Sequence, residues 1–339
     1  MENPVLVEVT RGTAVESRHR GAIVLVDADG KRVASVGDAD WQVFPRSAVK
    51  ALQALPLVES GAAEALDLSD AELALACASH NGEAMHVNAA RVMLMKAGAD
   101  ESALECGSHW PKRMEDVAIL HRADASPCPL HNNCSGKHAG FVGLARTLGV
   151  DPRGYVEPEH PVQREARAAM EEMSGMSFAD MARGTDGCSI PTYAMPLDRL
   201  AYAFARLGTG TGLEPARAEA AQRLYDACTG VPEMVAGTER FCTDVMRAFS
   251  GRVFVKTGAE GVFTAALPEI GIGVALKCED GATRAAETMM AGVLAQLLGL
   301  SDDEHAALAP WVAPRLVNWN GIHVGDVRAV EGALDGLRA

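Results

Sequence analysis

The chain has no cluster of lysines and arginines to set against its acidic residues. Its 31 basic side chains face 45 acidic ones, for a formal charge of -14. A surface of that sign without a basic stripe argues against nucleic acid or an anionic membrane as the main partner. No segment approaches the roughly 18 consecutive apolar residues of a membrane span. The opening residues, Met1 to Val5, lack a basic stretch followed by an apolar one, so no secretory leader is read there and a cytoplasmic protein is expected. Linkers, repeats and low-complexity tracts are also missing. The eight cysteines are scattered, without the close spacing of a small disulfide-stapled domain. Most are expected to be reduced core thiols, with two or three available as metal ligands. A composition of 48% hydrophobic and 22% charged residues excludes disorder and fibrous architectures, which leaves small-molecule chemistry as the default.

What is present is ordered simply along the chain. Segments 5–9, 22–26 and 32–36 read as strands, with Asp27-Ala28-Asp29-Gly30 a turn between the last two. Helical preferences begin after Pro45, and Pro56 is expected to break or kink that first helix. From there to about residue 250 the pattern is Ala-rich amphipathic helix, for example over 88–97, 162–173 and 215–228. Strand-like runs return over about 253–277, and helices are expected from about 283 to 339. Strands flanking a helical block predict an α+β fold: one antiparallel sheet built from both ends of the chain, with helices packed on it, in a single domain spanning 1–339.

Three short words carry the chemistry: Ser47-Ala48-Val49-Lys50, then Ser79-His80-Asn81, then Lys256-Thr257-Gly258. They resemble the S-x-x-K, S-x-N and K-T-G set of serine beta-lactamases and penicillin-binding proteins, in that order. On a helix, residues three apart share a face, with β carbons about 5–6 Å apart, so Lys50 is expected within reach of the Ser47 hydroxyl. A serine alcohol needs a base to become a nucleophile. A lysine serves only when neutral, which calls for burial or a nearby cation, and Lys256 is a candidate for that cation. Read singly, Ser47 is also an ordinary helix N-terminal residue and Lys50 a solvated surface lysine. Among the cysteines, spacing alone nominates Cys128, His131, Cys134 and His138 as zinc ligands, because thiolate and imidazole are the common donors.

The longer words are more specific. Phe44-Pro45-Arg46-Ser47-Ala48-Val49-Lys50, Cys77-Ala78-Ser79-His80-Asn81, Asn133-Cys134-Ser135-Gly136-Lys137-His138, Gly184-Thr185-Asp186-Gly187-Cys188 and Pro232-Glu233-Met234-Val235-Ala236-Gly237 are similar to the signatures of Rhizobium etli-type L-asparaginases, in family order over roughly 5–280. The resemblance implies a homodimer with a serine beta-lactamase/glutaminase-like fold that hydrolyses L-asparagine to L-aspartate and ammonia. It implies two serine-lysine pairs, Ser47 with Lys50 and Ser79 with Lys256, and a zinc site at Cys134, Lys137 and Cys188 with Asp186 close by. That set differs from the one spacing nominates. A lysine must lose its proton to bind metal, so zinc affinity there is expected to fall as pH drops. Lys256-Thr257-Gly258 departs from the Lys-Leu-Gly form of some members and is closer to the lactamase pattern.

A zwitterionic substrate needs opposite charges set apart, and Arg46, His80, Asn81 and Asp186 are the candidates for gripping it. The alternatives are a beta-lactamase or D,D-peptidase-like acyl transferase and a catalytically silent zinc-containing amino-acid-binding protein. Preference for asparagine over glutamine rests on one methylene, about 1–3 kcal/mol, and is not readable from the sequence.

Overall fold

The computed structural model describes residues 2–337. The reading of the opening residues at Met1 and that of the C-terminal helices at 338 and 339 lie outside the described residues. The chain forms two compact units: a sheet unit of residues 1–48, 195–208 and 244–339, and a helical unit of residues 49–194 and 209–243.

The main sheet of this unit has eight strands among the described residues: β1 (Val5–Arg11), β2 (Ala14–Asp27), β3 (Arg32–Val36), β4 (Phe254–Thr257), β5 (Val262–Leu267), β6 (Ile272–Cys278), β7 (Arg315–Val317) and β8 (His323–Ala329). The main path runs β7-β8-β1-β2-β6-β5-β4, and β3 pairs with β2. Every pairing is antiparallel, for example Val24↔Ala275 and Lys256↔Thr264. The expected sheet from both ends of the chain is therefore present. Its interior strands read as continuous apolar runs, and Ala22 to Val26 and Val262 to Leu267 are buried throughout.

The helix Leu197–Thr209 lies so close to the sheet that a Cβ at Gly273 would sit 1.9 Å from Ala201 O. Only glycine fits there. The helix Thr283–Leu297 packs its Ala285, Met289 and Val293 inward, in the position expected for a long apolar helix.

Two expectations change. The C-terminal region is not all helix: after the helices Thr283–Leu297 and Asp302–Val312 it makes the β7–β8 hairpin, and β8 pairs with β1 (Val7↔Ala329). The turn is built on Asn318, whose side-chain oxygen accepts from Asn320 N and Ile322 N. Pro56 does not end its helix, which runs Lys50–Glu59 with Lys50 through Leu57 all buried. The proline removes one N–H, a cost of about 3 kcal/mol that the packing of a fully buried segment outweighs.

In the helical unit, the helix Ser135–Thr147 carries glycines at 136, 140 and 143 along one side. A Cβ at Gly136 would lie 2.3 Å from Leu75 O, one at Gly140 3.3 Å from Leu57 Cδ2 and one at Gly143 2.7 Å from Leu66 Cδ1. This seam lets the backbone of the helix touch the helix Asp70–Ala76, just ahead of Ser79.

Candidate active site

In the sheet unit, Lys256 is buried on β4 and its amine donates to Thr257 O at 3.0 Å. Gly258 follows, and a Cβ there would meet Pro45 O at 2.5 Å and Ala48 Cβ at 3.3 Å. The end of the Lys256-Thr257-Gly258 word therefore lies against the segment that carries Ser47. Ser47 is half-buried in the 3-10 turn Arg46–Val49, which leads directly into the helix Lys50–Glu59. Arg46 opens that turn at φ +53°, a left-handed conformation unusual for a side chain of its size.

Lys50 is not a solvated surface lysine. It is fully buried in the helical unit, where its amine donates to Ala78 O at 2.5 Å, Asn133 O at 3.5 Å and Cys134 Sγ at 3.0 Å. Three acceptors are a full complement for one ammonium group. They join the S-x-x-K helix to the residue before Ser79 and to the Asn133–His138 word. Ser79 is held through its backbone, with N–H donating to Val235 O at 2.9 Å. The acceptors of the Lys50 amine are two carbonyls and a thiol, so the hydroxyl partner expected from helical spacing is not among them.

Next to Lys50 lies a second amine with two thiols. Lys137 Nζ is 3.1 Å from Cys188 Sγ, and both residues are buried. The hydrogen bond from Cys188, aided by the Lys50 and Lys137 amines and outweighing burial, pulls the Cys134 thiol well below its usual range. The same bond and burial push Cys188 up. Burial disfavours the Lys137 ammonium, but Cys188, Cys134 and Asp186 together raise its pKa. Asp186 stands in the hairpin turn that presents Cys188, accepting from Gly187 N at 2.7 Å. Two sulfurs and one nitrogen thus converge in a buried place, and the 3.1 Å from Lys137 Nζ to Cys188 Sγ is close to the roughly 3–4 Å between neighbouring donors on a tetrahedral zinc ion. The donor set fits zinc.

The set nominated by spacing does not converge. Cys128 Sγ pairs with His131 Nδ1 at 3.3 Å, Cys134 belongs to Lys50, and His138 Nδ1 meets Tyr155 Oη at 2.6 Å. Sequence proximity in a loop that turns into a helix sends these side chains to different neighbours.

His80 and Asn81 also differ from their expected role. His80 is fully buried and stacks on His86 with centroids 4.6 Å apart. Its Nδ1 accepts from Gly82 N and its Nε2 lies 3.0 Å from Ser135 Oγ. Burial, then His86 and Lys50, hold its pKa well below the ordinary histidine range. A neutral ring with both nitrogens committed secures the loop rather than an anion. Asn81 donates from Nδ2 to Glu83 Oε1 at 3.1 Å and Thr238 O at 3.0 Å, and accepts at Oδ1 from Arg240 Nη1 at 2.8 Å. Its amide orientation is therefore fixed and both donors are in use.

Glu83, buried and missed by the sequence reading, is the hub of this network. It accepts from Thr238 N, Thr238 Oγ1, Asn81 Nδ2 and Arg113 Nη1. Burial works against its charge, but the Thr238 and Asn81 hydrogen bonds prevail and lower its pKa. Gly237 completes the fit: its φ is +111°, and a Cβ would fall 2.5 Å from Glu83 Oε1 and 2.7 Å from Asn81 Nδ2. A carboxylate with a lowered folded-state pKa stabilises above its unfolded value, near 4.3, and that contribution is lost as pH falls through the folded value. Glu83→Gln is expected to cost about 1.5–3 kcal/mol at pH 7, since it loses hydrogen bonds to a charged acceptor. In denaturant titrations the gap to wild type should narrow in acid; a gap independent of pH would remove the charge from this account. Nothing local marks Glu83 or Arg240, because Thr238 and Asn81, to which they bond, are more than 150 positions away. The Pro232–Gly237 word ends three residues before Arg240 and was the available signal.

A serine hydroxyl activated by a lysine amine is the equipment of a serine-type amidohydrolase. The family model for L-asparaginase II matches residues 7–329, and the chain belongs to that family. This membership supports amidohydrolase activity on a small molecule. No curated protein matches. Among solved structures, Mglu in its native form is 15% identical, covering 77% of this chain and 60% of its own, with a TM-score of 0.42. A beta-lactamase from Mycobacterium bovis is 14% identical over 81% of this chain and 94% of its own, TM-score 0.43. The D-alanine carboxypeptidase AmpC from Burkholderia cenocepacia is 13% identical over 86% and 92%, TM-score 0.38. This chain spans less than two thirds of the Mglu chain. No described helix is long and apolar enough to cross a membrane.

Proposed function

We propose that the protein hydrolyses the side-chain amide of L-asparagine to L-aspartate and ammonia, with Ser47 as nucleophile and Lys50 as its base. The observation that carries this reading is the burial of Lys50 beside the Ser79 loop and the thiol cluster. A lysine is placed so when its amine has work to do, because an idle one would reach solvent. Acting as the neutral amine, Lys50 keeps two hydrogen bonds and takes the Ser47 proton on its lone pair as the oxygen attacks the carboxamide carbon. Geometry before substrate binds is commonly looser than in the reacting complex. Backbone N–H groups take the charge of the tetrahedral intermediate. Protonation of the leaving nitrogen releases ammonia, with Ser79 and Lys256 as the second pair, and water then hydrolyses the acyl-enzyme.

Zinc belongs to the same proposal, held by Cys134, Lys137 and Cys188 with Asp186 nearby. When bound it would supply a fixed positive charge that orients a substrate oxygen. Metal analysis of purified protein is expected to find zinc that is lost in Cys188→Ser; equal zinc in both would remove the site. The proposal includes a homodimer, as the family resemblance implies, and a cytoplasmic location, which sedimentation and cell fractionation read.

The deciding experiment is a product assay with L-asparagine, L-glutamine and nitrocefin. Ammonia from L-asparagine is expected. Nitrocefin turnover without it would move the chain to the acyl transferases, and tight amino-acid binding without turnover to the silent binding proteins.

A further inference from the structure

Among the described residues, the half-buried cation Arg240 has no counter-ion, although the chain is acidic. The protein carries 45 acidic residues, yet no described carboxylate forms an ion pair with Arg240. Its Nη1 donates to Asn81 Oδ1 at 2.8 Å and to Ser79 O at 3.5 Å. Nε and Nη2 have no partner among the described residues. Glu83, the carboxylate of this network, is already committed to Thr238, Asn81 and Arg113. Asn81 is itself held from its other side by Glu83 and Thr238, so it orients the guanidinium rather than neutralising it.

A guanidinium presents a planar fork of donors suited to two carboxylate oxygens, and a partly desolvated one gains most from such an anion. One nitrogen of this fork is anchored and the others are unspent, at the backbone of Ser79. We propose that Arg240 binds the α-carboxylate of the amino-acid substrate. The inference rests on the amidohydrolase reading for its substrate, and it specifies the recognition element of that site.

The test compares ligands with and without the α-carboxylate. Turnover of L-asparagine and of 3-aminopropanamide is measured for wild type, Arg240→Lys and Arg240→Gln. In parallel, calorimetry follows binding of L-aspartate and β-alanine to the same proteins. With L-asparagine, Arg240→Gln is expected to lower kcat/KM about 10–100-fold, mainly through KM, and Arg240→Lys to recover part of it. With 3-aminopropanamide the three proteins should agree within a few-fold. L-Aspartate affinity should fall by a similar factor while β-alanine affinity stays unchanged.

A merely structural Arg240 would depress both members of each pair equally, and that result, or no effect on either, overturns the assignment. Wild type that releases no ammonia from L-asparagine sinks the amidohydrolase reading instead, and the binding arm still decides Arg240.

Discussion

Lys50→Met is expected to lower ammonia release from L-asparagine by about 10²–10⁴-fold, the usual contribution of a positioned general base. The variant also strips a donor from Ala78 O, Asn133 O and Cys134 Sγ, and each buried acceptor left unsatisfied costs about 1–3 kcal/mol. Loss of activity and loss of stability therefore arrive together, and they have to be separated. Ser47→Ala does this, because Ser47 is half-buried and lies outside that bonded set. It should abolish turnover while leaving the denaturant midpoint within about 0.5 kcal/mol of wild type. Ser47→Ala retaining a tenth or more of wild-type activity would remove the nucleophile assignment, and Lys50→Met retaining as much would remove the base.

The second large effect concerns Gly136. An alanine there puts a methyl group 2.3 Å from Leu75 O and 2.4 Å from Leu75 Cγ, and the nearer atom is backbone, which has little room to move. Overpacking of a close-packed interior costs about 1–3 kcal/mol and sometimes more. At about 2–4 °C per kcal/mol for a unit of this size, the melting temperature should drop by several degrees. The helix start that carries Cys134 and Lys137 would be displaced from Leu75 and the residues after it, so zinc content and ammonia release should fall in parallel. A variant with wild-type melting, zinc and activity would show that the close approach at Leu75 is not needed.

The words of the sequence that carried the site were local, and locality explains what was legible. Ser47-Ala-Val-Lys50 and Asn133–His138 name their residues within a few positions, and Lys50, Ser79, Cys134, Lys137 and Cys188 do come together in the helical unit. The burial of Lys50 was not legible, since a lysine in a helix reads equally well as a surface residue. Glu83 and Arg240 were invisible for a related reason: their partners, Thr238 and Asn81, lie more than 150 positions away.

Spacing misled where it was read as ligation, because Cys128, His131 and His138 find nearer partners than a shared ion. In the fold, the meander at the N-terminus and the returning strands near 253–277 were plain from apolar runs. The β7–β8 hairpin was not, although Asn320-Gly321 between Val317 and His323 is a turn signal with strand residues on both sides. Three-residue β7, exposed on both outer positions, gave too little alternation to register.

The pairing of β8 with β1 has a consequence for biogenesis. Val7 waits for Ala329, so on a growing chain the β1 edge stays unpaired until residue 329 has left the ribosome. Residues 49–243 hold every segment of the helical unit, and that unit can collapse while the opening hairpin is still uncovered. The nascent protein thus carries an open strand edge for about 320 residues of synthesis, and chaperone demand should last until β8 emerges.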